Sequence, residues 1–371
     1  MERRTFLKIL SSAGIVSLVS PTFAMEVCKN KVSKSSSALL ESAFRNPPFS
    51  SGVYTWWHWM NGNITKDGIT RDLEAMKANG IAGYQLFEAG SGIPIGPVES
   101  LSDEWVDLIL HTLKESERLG LEFAMHNCPG WSSSGGPWIT PDKAMQIITW
   151  SETKITGGKQ VRIQLPTPKH MFDYYIDTYC LAIPANMKVI PRLSILELSN
   201  RLDKDGVLTW DVPTGEWLIM RFGQTAKDQK NKSAPSKSTG LDCDKFSTEA
   251  LDYHLNCMFK RLMPAMEKIA KHSKIGLLID SYETGDQDWT SDMPAYFEQS
   301  HGYELYPFLP VLANKIVESE ESTKRFLFDF RRVRADMFAE RYYGHFQKRC
   351  KEKGIITYTE PYGGNMMEEL Q

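Results

Sequence analysis

Two glutamates stand just past apolar runs that read as buried strands: Glu283 beyond residues 275–280, and Glu360 at the end of residues 355–360. A pair of carboxyl groups set across a glycosidic bond can split it. One gives a proton to the leaving oxygen, and the other activates water or attacks the sugar. Apolar surroundings desolvate a carboxyl and lift its pKa toward the range a proton donor needs. The competing role for each is that of an ordinary loop glutamate paired with a lysine or arginine. Asp280, at the end of its own strand, reads as an orienting group that accepts backbone hydrogen bonds or holds a sugar hydroxyl. His58 and His126 could bind hydroxyls, hold a carboxylate or ligate a metal. Asn61 and Asn127 follow them in the same strand-end loops and join them as candidate substrate contacts. Trp57, Trp131 and Trp289 offer flat faces to the C–H side of a pyranose, against the alternative fate of core packing.

These residues share a position. In a parallel α/β barrel, catalytic side chains come from the C-terminal ends of the strands and the loops after them. The strands that would carry them span residues 53–60, 82–87, 121–127, 275–280 and 355–360. Between the first two, Thr65 caps a helix with Ile69, Leu73 and Met76 at helical spacing and Gly80 as its stop. Ser102 caps the next, with Trp105, Ile109 and Leu113 on one face and Gly120 beyond it. The rhythm then changes. Residues 147–225 read as an all-β insertion with strands at 160–165, 178–183, 206–210 and 216–222, punctuated by Gly157-Gly158, Asp205-Gly206 and Thr214-Gly215. Residues 226–239, rich in lysine and serine, read as a mobile loop. Helical spacing returns over 247–271 and in a long helix over 322–353. A closed (β/α)8 barrel needs eight strands and five are legible. The expected fold class is therefore α/β: an incomplete (β/α)8-type barrel, divided between residues 48–146 and 226–371 by the all-β insertion.

Composition sets outer limits. The net charge of -3 over 371 residues leaves no basic field to draw nucleic acid or an anionic membrane. Arg3-Arg4-Thr5-Phe6-Leu7-Lys8 reads as a twin-arginine export motif. The apolar stretch 9–19 behind it is too short to span a bilayer, and Thr22-Phe23-Ala24 supplies a processing site. The expected mature chain starts after a signal peptide of 24 residues with a polar linker, 25–47. It has no membrane span and is exported, to the periplasm or beyond. Six cysteines lie scattered without CxxC spacing, which implies neither a zinc site nor a disulfide framework.

Taken together, several motifs resemble those of glycoside hydrolase family 106, the α-L-rhamnosidases. They are Trp56-Trp57-His58-Trp59-Met60-Asn61-Gly62-Asn63 followed by Ile69-Thr70-Arg71-Asp72-Leu73-Glu74-Ala75-Met76, then Gly80-Ile81-Ala82-Gly83-Tyr84-Gln85-Leu86-Phe87. His126-Asn127-Cys128-Pro129-Gly130-Trp131-Ser132 and Asp280-Ser281-Tyr282-Glu283 with Trp289-Thr290 complete the set. The likeness covers most of residues 45–371. It implies a (β/α)8 catalytic domain, an inverting attack on terminal α-L-rhamnosides, and a rhamnose-containing oligo- or polysaccharide as partner. It carries the general-acid role onto Glu283 and makes Glu360 the expected second carboxylate. It also implies a calcium ion near the sugar, for which Glu88, Asp280 and Asp286 are the candidate oxygen ligands. Family members are far longer, so the general base could also lie beyond Gln371. The rival readings are a glycosidase of different sugar specificity on the same barrel, and a truncated, non-catalytic carbohydrate-binding remnant.

Overall fold

The computed structural model describes residues 34–131 and 134–360. The export motif and its processing site fall outside the described residues. The chain divides into one unit over residues 1–53 and a second over 54–371. In the first unit, part of the stretch read as a linker forms helix α1 (Lys34–Arg45) instead. Leu39, Leu40 and Phe44 on it are exposed. Arg45 pairs with Glu41 one turn earlier at 3.0 Å, and such i,i+4 pairs favour a helix over an open linker.

The second unit begins with the alternation the pattern requires. Strand β1 (Val53–Met60) leads to helix α2 (Lys66–Ala78), strand β2 (Ile81–Ala89), helix α3 (Asp103–Leu119) and strand β3 (Glu122–His126). The caps act as read. The Thr65 side chain accepts from the Gly68 amide at 3.0 Å and that of Ser102 from the Trp105 amide at 3.1 Å. Gly120 closes α3 with φ +65, a left-handed turn that glycine adopts without strain.

The main strands of the insertion pair antiparallel with one another, while the short segment Val189–Ile190 pairs in parallel with Ile316–Val317. The insertion comprises β4 (Gln146–Thr156), β5 (Lys159–Gln164), β6 (Ile176–Pro184), the short β7 (Leu196–Glu197), β8 (Val207–Val212) and β9 (Glu216–Ala226). Strand β9 is central, paired with β4 along its whole length and with β6 on its other side; β7 extends β6, while β5 and β8 pair separately. All four predicted strands are present. The additional long strand, β4, is buried only at its first residues, so its apolar periodicity fades along its length. Ala182, Leu208, Trp210 and Ile219 fill the small core between the sheets.

Helices α4 (Thr248–Phe259) and α5 (Met263–Ile269) return the chain to β10 (Ile275–Ile279). After α6 (Met293–His301), the predicted long helix starts earlier than read, at α7 (Glu320–Met337). It passes through a π-helical segment (Phe338–Gly344) into α8 (His345–Glu352) and ends at β11 (Ile356–Thr359). The five predicted barrel strands form one sheet in the order β1-β2-β3-β10-β11, with β2, β3, β10 and β11 parallel. Among the described residues this sheet is open, with β1 and β11 as its edges, and no closed barrel forms. No described helix is long and apolar enough to cross a membrane.

The segment read as a mobile loop is packed. Asn231 and Ser238 are buried, and Asn231 Nδ2 donates to the carbonyls of Pro129 and Ser238 at 3.0 and 3.1 Å. The Ser233 and Lys232 carbonyls accept from the amides of Gly90 and Trp131. Short polar side chains here serve as interior hydrogen-bonding groups in place of a regular ladder, which local composition does not reveal.

Candidate active site

Strand alternation decides which β1 side chains reach the site. Trp57 and Trp59 point to the helix side and are buried. The indole of Trp57 donates to Asp72 of α2 at 3.0 Å, which removes it from the substrate contacts. Trp56 and His58 share the opposite face. Together with Phe87, Trp131, Asp280, Ser281 and Glu283 they line a cleft of about 270 Å³ beyond the C-terminal ends of the strands. Phe87 is stacked between Trp56 (centroids 5.6 Å apart, planes 11° off parallel) and Trp131 (5.5 Å, 19°). The His58 ring meets Phe87 edge-on at 4.7 Å. Trp131 reaches the stack from a turn that demands glycine. Gly130 has φ +80, and a Cβ there would lie 2.0 Å from the Lys232 carbonyl oxygen. A larger groove of about 400 Å³ between α4, α5 and α8 contains none of the predicted site residues.

Two carboxyls, Asp280 and Glu283, line the cleft floor, and Glu360 adjoins Asp280. The Glu360 amide donates to the Ile279 carbonyl at 2.9 Å, which seats Glu360 beside β10, and its carboxyl meets that of Asp280. Asp280 Oδ1 accepts the Ser281 amide at 2.6 Å, while the Ser281 hydroxyl donates to Glu283 Oε1 at 2.9 Å. Burial, together with the negative charges of Glu360 and Glu283, pushes Asp280 up to about 6. The desolvated acid of the group is thus the strand-end aspartate, with both glutamates half-buried around it.

His126 is buried, and its Nδ1 donates to the Gly130 carbonyl at 3.2 Å. Burial holds the ring down to about 3, so it is neutral and Nε2 is left as an acceptor facing Asp280 Oδ2 at 3.5 Å. The pair is therefore not an ion pair at neutral pH.

Asn127 lies beneath the cleft in a network whose directions can be worked out. The Trp138 indole donates to His254 Nδ1 at 3.2 Å, so Nε2 carries the ring proton. It donates to the Asn127 carbonyl and Oδ1 at 2.9 and 3.0 Å. Asn127 Nδ2 donates to the Leu278 carbonyl and Ser134 Oγ to Asn127 Oδ1. The Tyr342 hydroxyl, on the π-helical segment, is left to donate to Ser134. Lys245, fully buried, ties the same Ser134 loop to Asp242 through a buried ion pair and sits 5.1 Å from the centre of the Tyr342 ring.

Other predicted contacts are structural as well. Asn61 takes φ +50 in a turn and its side chain donates to the Ile93 carbonyl at 2.7 Å. Trp289 is wholly buried and offers no stacking face. The implied calcium ligands are not brought together. Glu88 is buried, with Oε2 accepting from Ser100 at 2.8 Å and burial pushing its carboxyl up to about 7. Asp286 is in the loop beyond Glu283 and lines no part of the cleft. Among the described residues, no three acidic, histidine or cysteine side chains converge as a metal-binding group. Sequence reasoning missed Trp56, Phe87 and Ser281. The i,i+2 relation of Trp56 to His58 on a strand was the available signal for the first.

Comparison with known proteins follows the same outline. The chain matches the glycoside hydrolase 106 family model, described as alpha-L-rhamnosidase, over residues 45–177 and 169–370. It is 41% identical over 356 residues to a protein of Formosa agariphila named "Putative beta-glucuronidase", covering 88% of this chain and 31% of that protein. The solved structure of a rhamnosidase from Novosphingobium sp. PP1Y matches with a TM-score of 0.80 at 24% identity, covering 89% of this chain and 48% of that one. At that identity the likeness carries the fold alone. The chain thus spans 31% of the first relative and 48% of the second.

Proposed function

The chain belongs to glycoside hydrolase family 106, the alpha-L-rhamnosidase family, and from that premise we propose that it removes terminal α-L-rhamnosyl residues from a glycan by an inverting acid/base mechanism. The observation that carries this reading is the cleft itself, with acids on its floor and an aromatic stack in its wall. In the proposal, the Trp56–Phe87–Trp131 stack meets the apolar side of a deoxysugar. Glu283 protonates the leaving oxygen, and Glu360 activates water on the other side of the ring. Asp280, whose carboxyl burial and the neighbouring Glu360 and Glu283 charges push up to about 6, adjoins Glu360 and takes up a proton as pH falls toward that value. No step passes through calcium, since Glu88, Asp280 and Asp286 do not converge. Export to the periplasm or beyond, where plant-type rhamnose-containing glycans are met, belongs to the same proposal.

The name of the Formosa agariphila relative favours a second reading, hydrolysis of β-glucuronides. A glucuronate carries a carboxylate that needs a cationic partner. The described cleft lining contains no lysine or arginine and two acids, which favours a neutral sugar. Release of p-nitrophenol from the α-L-rhamnoside and from the β-D-glucuronide separates the two. Release from the rhamnoside that falls about 100-fold or more in Glu283→Gln supports the acid role. Release from the glucuronide alone transfers the proposal to the second reading. A folded protein that binds rhamnose and releases nothing is the carbohydrate-binding remnant.

A further inference from the structure

The loop that presents Glu283 runs from Asp280 to Asp292, between β10 and α6. Its head is held by itself: the Tyr282 hydroxyl donates to the Gly285 carbonyl at 2.5 Å, closing a turn around Glu283. Its tail is held by the all-β insertion at three successive places. Lys227 Nζ donates to the Asp286 carbonyl, the Ile148 amide donates to Asp288 Oδ1 at 2.9 Å, and the Trp289 amide donates to the Gln146 carbonyl at 3.2 Å.

These three anchors come from one corner of the insertion. Gln146 and Ile148 open β4, and Lys227 follows the last residue of β9, where Ala226 pairs with Gln146 and the Lys227 amide donates to the Met145 carbonyl at 2.8 Å. The corner is stiff because its two strands are fully paired there. Lys227 also supplies charge. It and Arg334 offset the Asp288 carboxylate, which burial pushes upward, and Arg334 Nε reaches the Gln287 carbonyl at 3.1 Å.

We propose that Lys227 and Asp288 are positioning residues: through them the β-rich insertion, which contributes no residue to the cleft lining, sets the placement of Glu283. The inference rests on the proposed glycosidase reading for its consequence, but not for its first test. Hydrogen exchange measured by mass spectrometry on the whole chain reads the strap directly, with or without activity. Lys227→Met speeds exchange in peptides covering 282–290 about tenfold or more, the factor associated with losing a hydrogen bond from a charged donor. Peptides from β4 and β9 keep their rates, and Lys227→Arg restores protection. Asp288→Ala, which removes the Ile148 contact but leaves the Asp286 carbonyl that Lys227 donates to, loosens the same peptides. Where rhamnoside hydrolysis is measurable, Lys227→Met lowers kcat with little change in KM, and Lys227→Arg recovers it. Unchanged exchange over 282–290 in both Lys227→Met and Asp288→Ala overturns the proposal. So does loosening spread evenly over the whole chain. Absence of hydrolysis in the parent protein bears on the glycosidase reading and leaves the exchange result to decide this one.

Discussion

Asp280→Asn should make the protein more stable at alkaline pH while impairing its chemistry. Asp280 is buried, and burial with the nearby Glu360 and Glu283 charges raises its carboxyl from 3.8 to about 6. A carboxyl whose pKa is higher in the fold than in the unfolded chain burdens the fold whenever it is ionised. The unfolded chain then binds fewer protons than the native state between the two pKa values, so stability falls as pH rises through that window. The burden is absent below about pH 4 and complete above about pH 6. A shift of about two pH units corresponds to about 3 kcal/mol. Asparagine keeps an acceptor for the Ser281 amide and turns a donor toward Glu360, so the substitution removes the charge with little loss of contact. For a unit of this length, about 3 kcal/mol is a rise of about 4 °C in Tm. The assay is thermal unfolding of parent and variant at pH 8, 6 and 4. The variant's advantage should be largest at pH 8 and gone at pH 4, with rhamnoside hydrolysis reduced throughout. A variant no more stable than the parent at pH 8, or an advantage that persists at pH 4, would refute the account of Asp280 as a desolvated acid.

Two further changes test the wall and the floor of the site. Trp131→Ala removes the outer ring of the stack and should raise KM for the rhamnoside about tenfold with kcat nearly unchanged; a fall in kcat at constant KM would place Trp131 in the chemistry instead. Lys245→Met leaves the buried Asp242 carboxylate without its counter-charge and should cost about 3–5 kcal/mol in denaturant unfolding, part of which Lys245→Met/Asp242→Asn recovers. A double variant no better than the single one would show that the pair's charge is not what matters there.

Much of the site was legible in one dimension because strand ends are local events. The apolar run that stops at Asp280 announces a buried strand, and a parallel sheet aims the strand ends at one side; the run before Glu360 reads the same way but is a largely exposed edge strand among the described residues, because burial depends on which strands flank it. The five βα strands, the caps Thr65 and Ser102 and the break into antiparallel β-structure follow from periodicity and turn chemistry. So do the acids at the strand ends. What a side chain faces is a different matter. Trp57 and Trp56 are neighbours in sequence, and only the pleat against α2 decides that one is core and the other cleft. Asn127 and Trp289 carry the same chemistry as a ligand contact, yet long-range partners, His254 and the edge of β4, claim them for the interior. The polar stretch 226–239 reads as solvent-exposed until the Gly90 and Trp131 amides are found bonded to it. The sequence by itself therefore determined the elements and the chemical types gathered at their ends, since these depend on contacts within a few residues. Only the tertiary structure decided which acid is desolvated, which rings stack and what steadies the Glu283 loop. Each of those depends on groups far apart in sequence, from Trp56 and Phe87 in the stack to Ile148 and Asp288 in the strap, brought into contact by the fold.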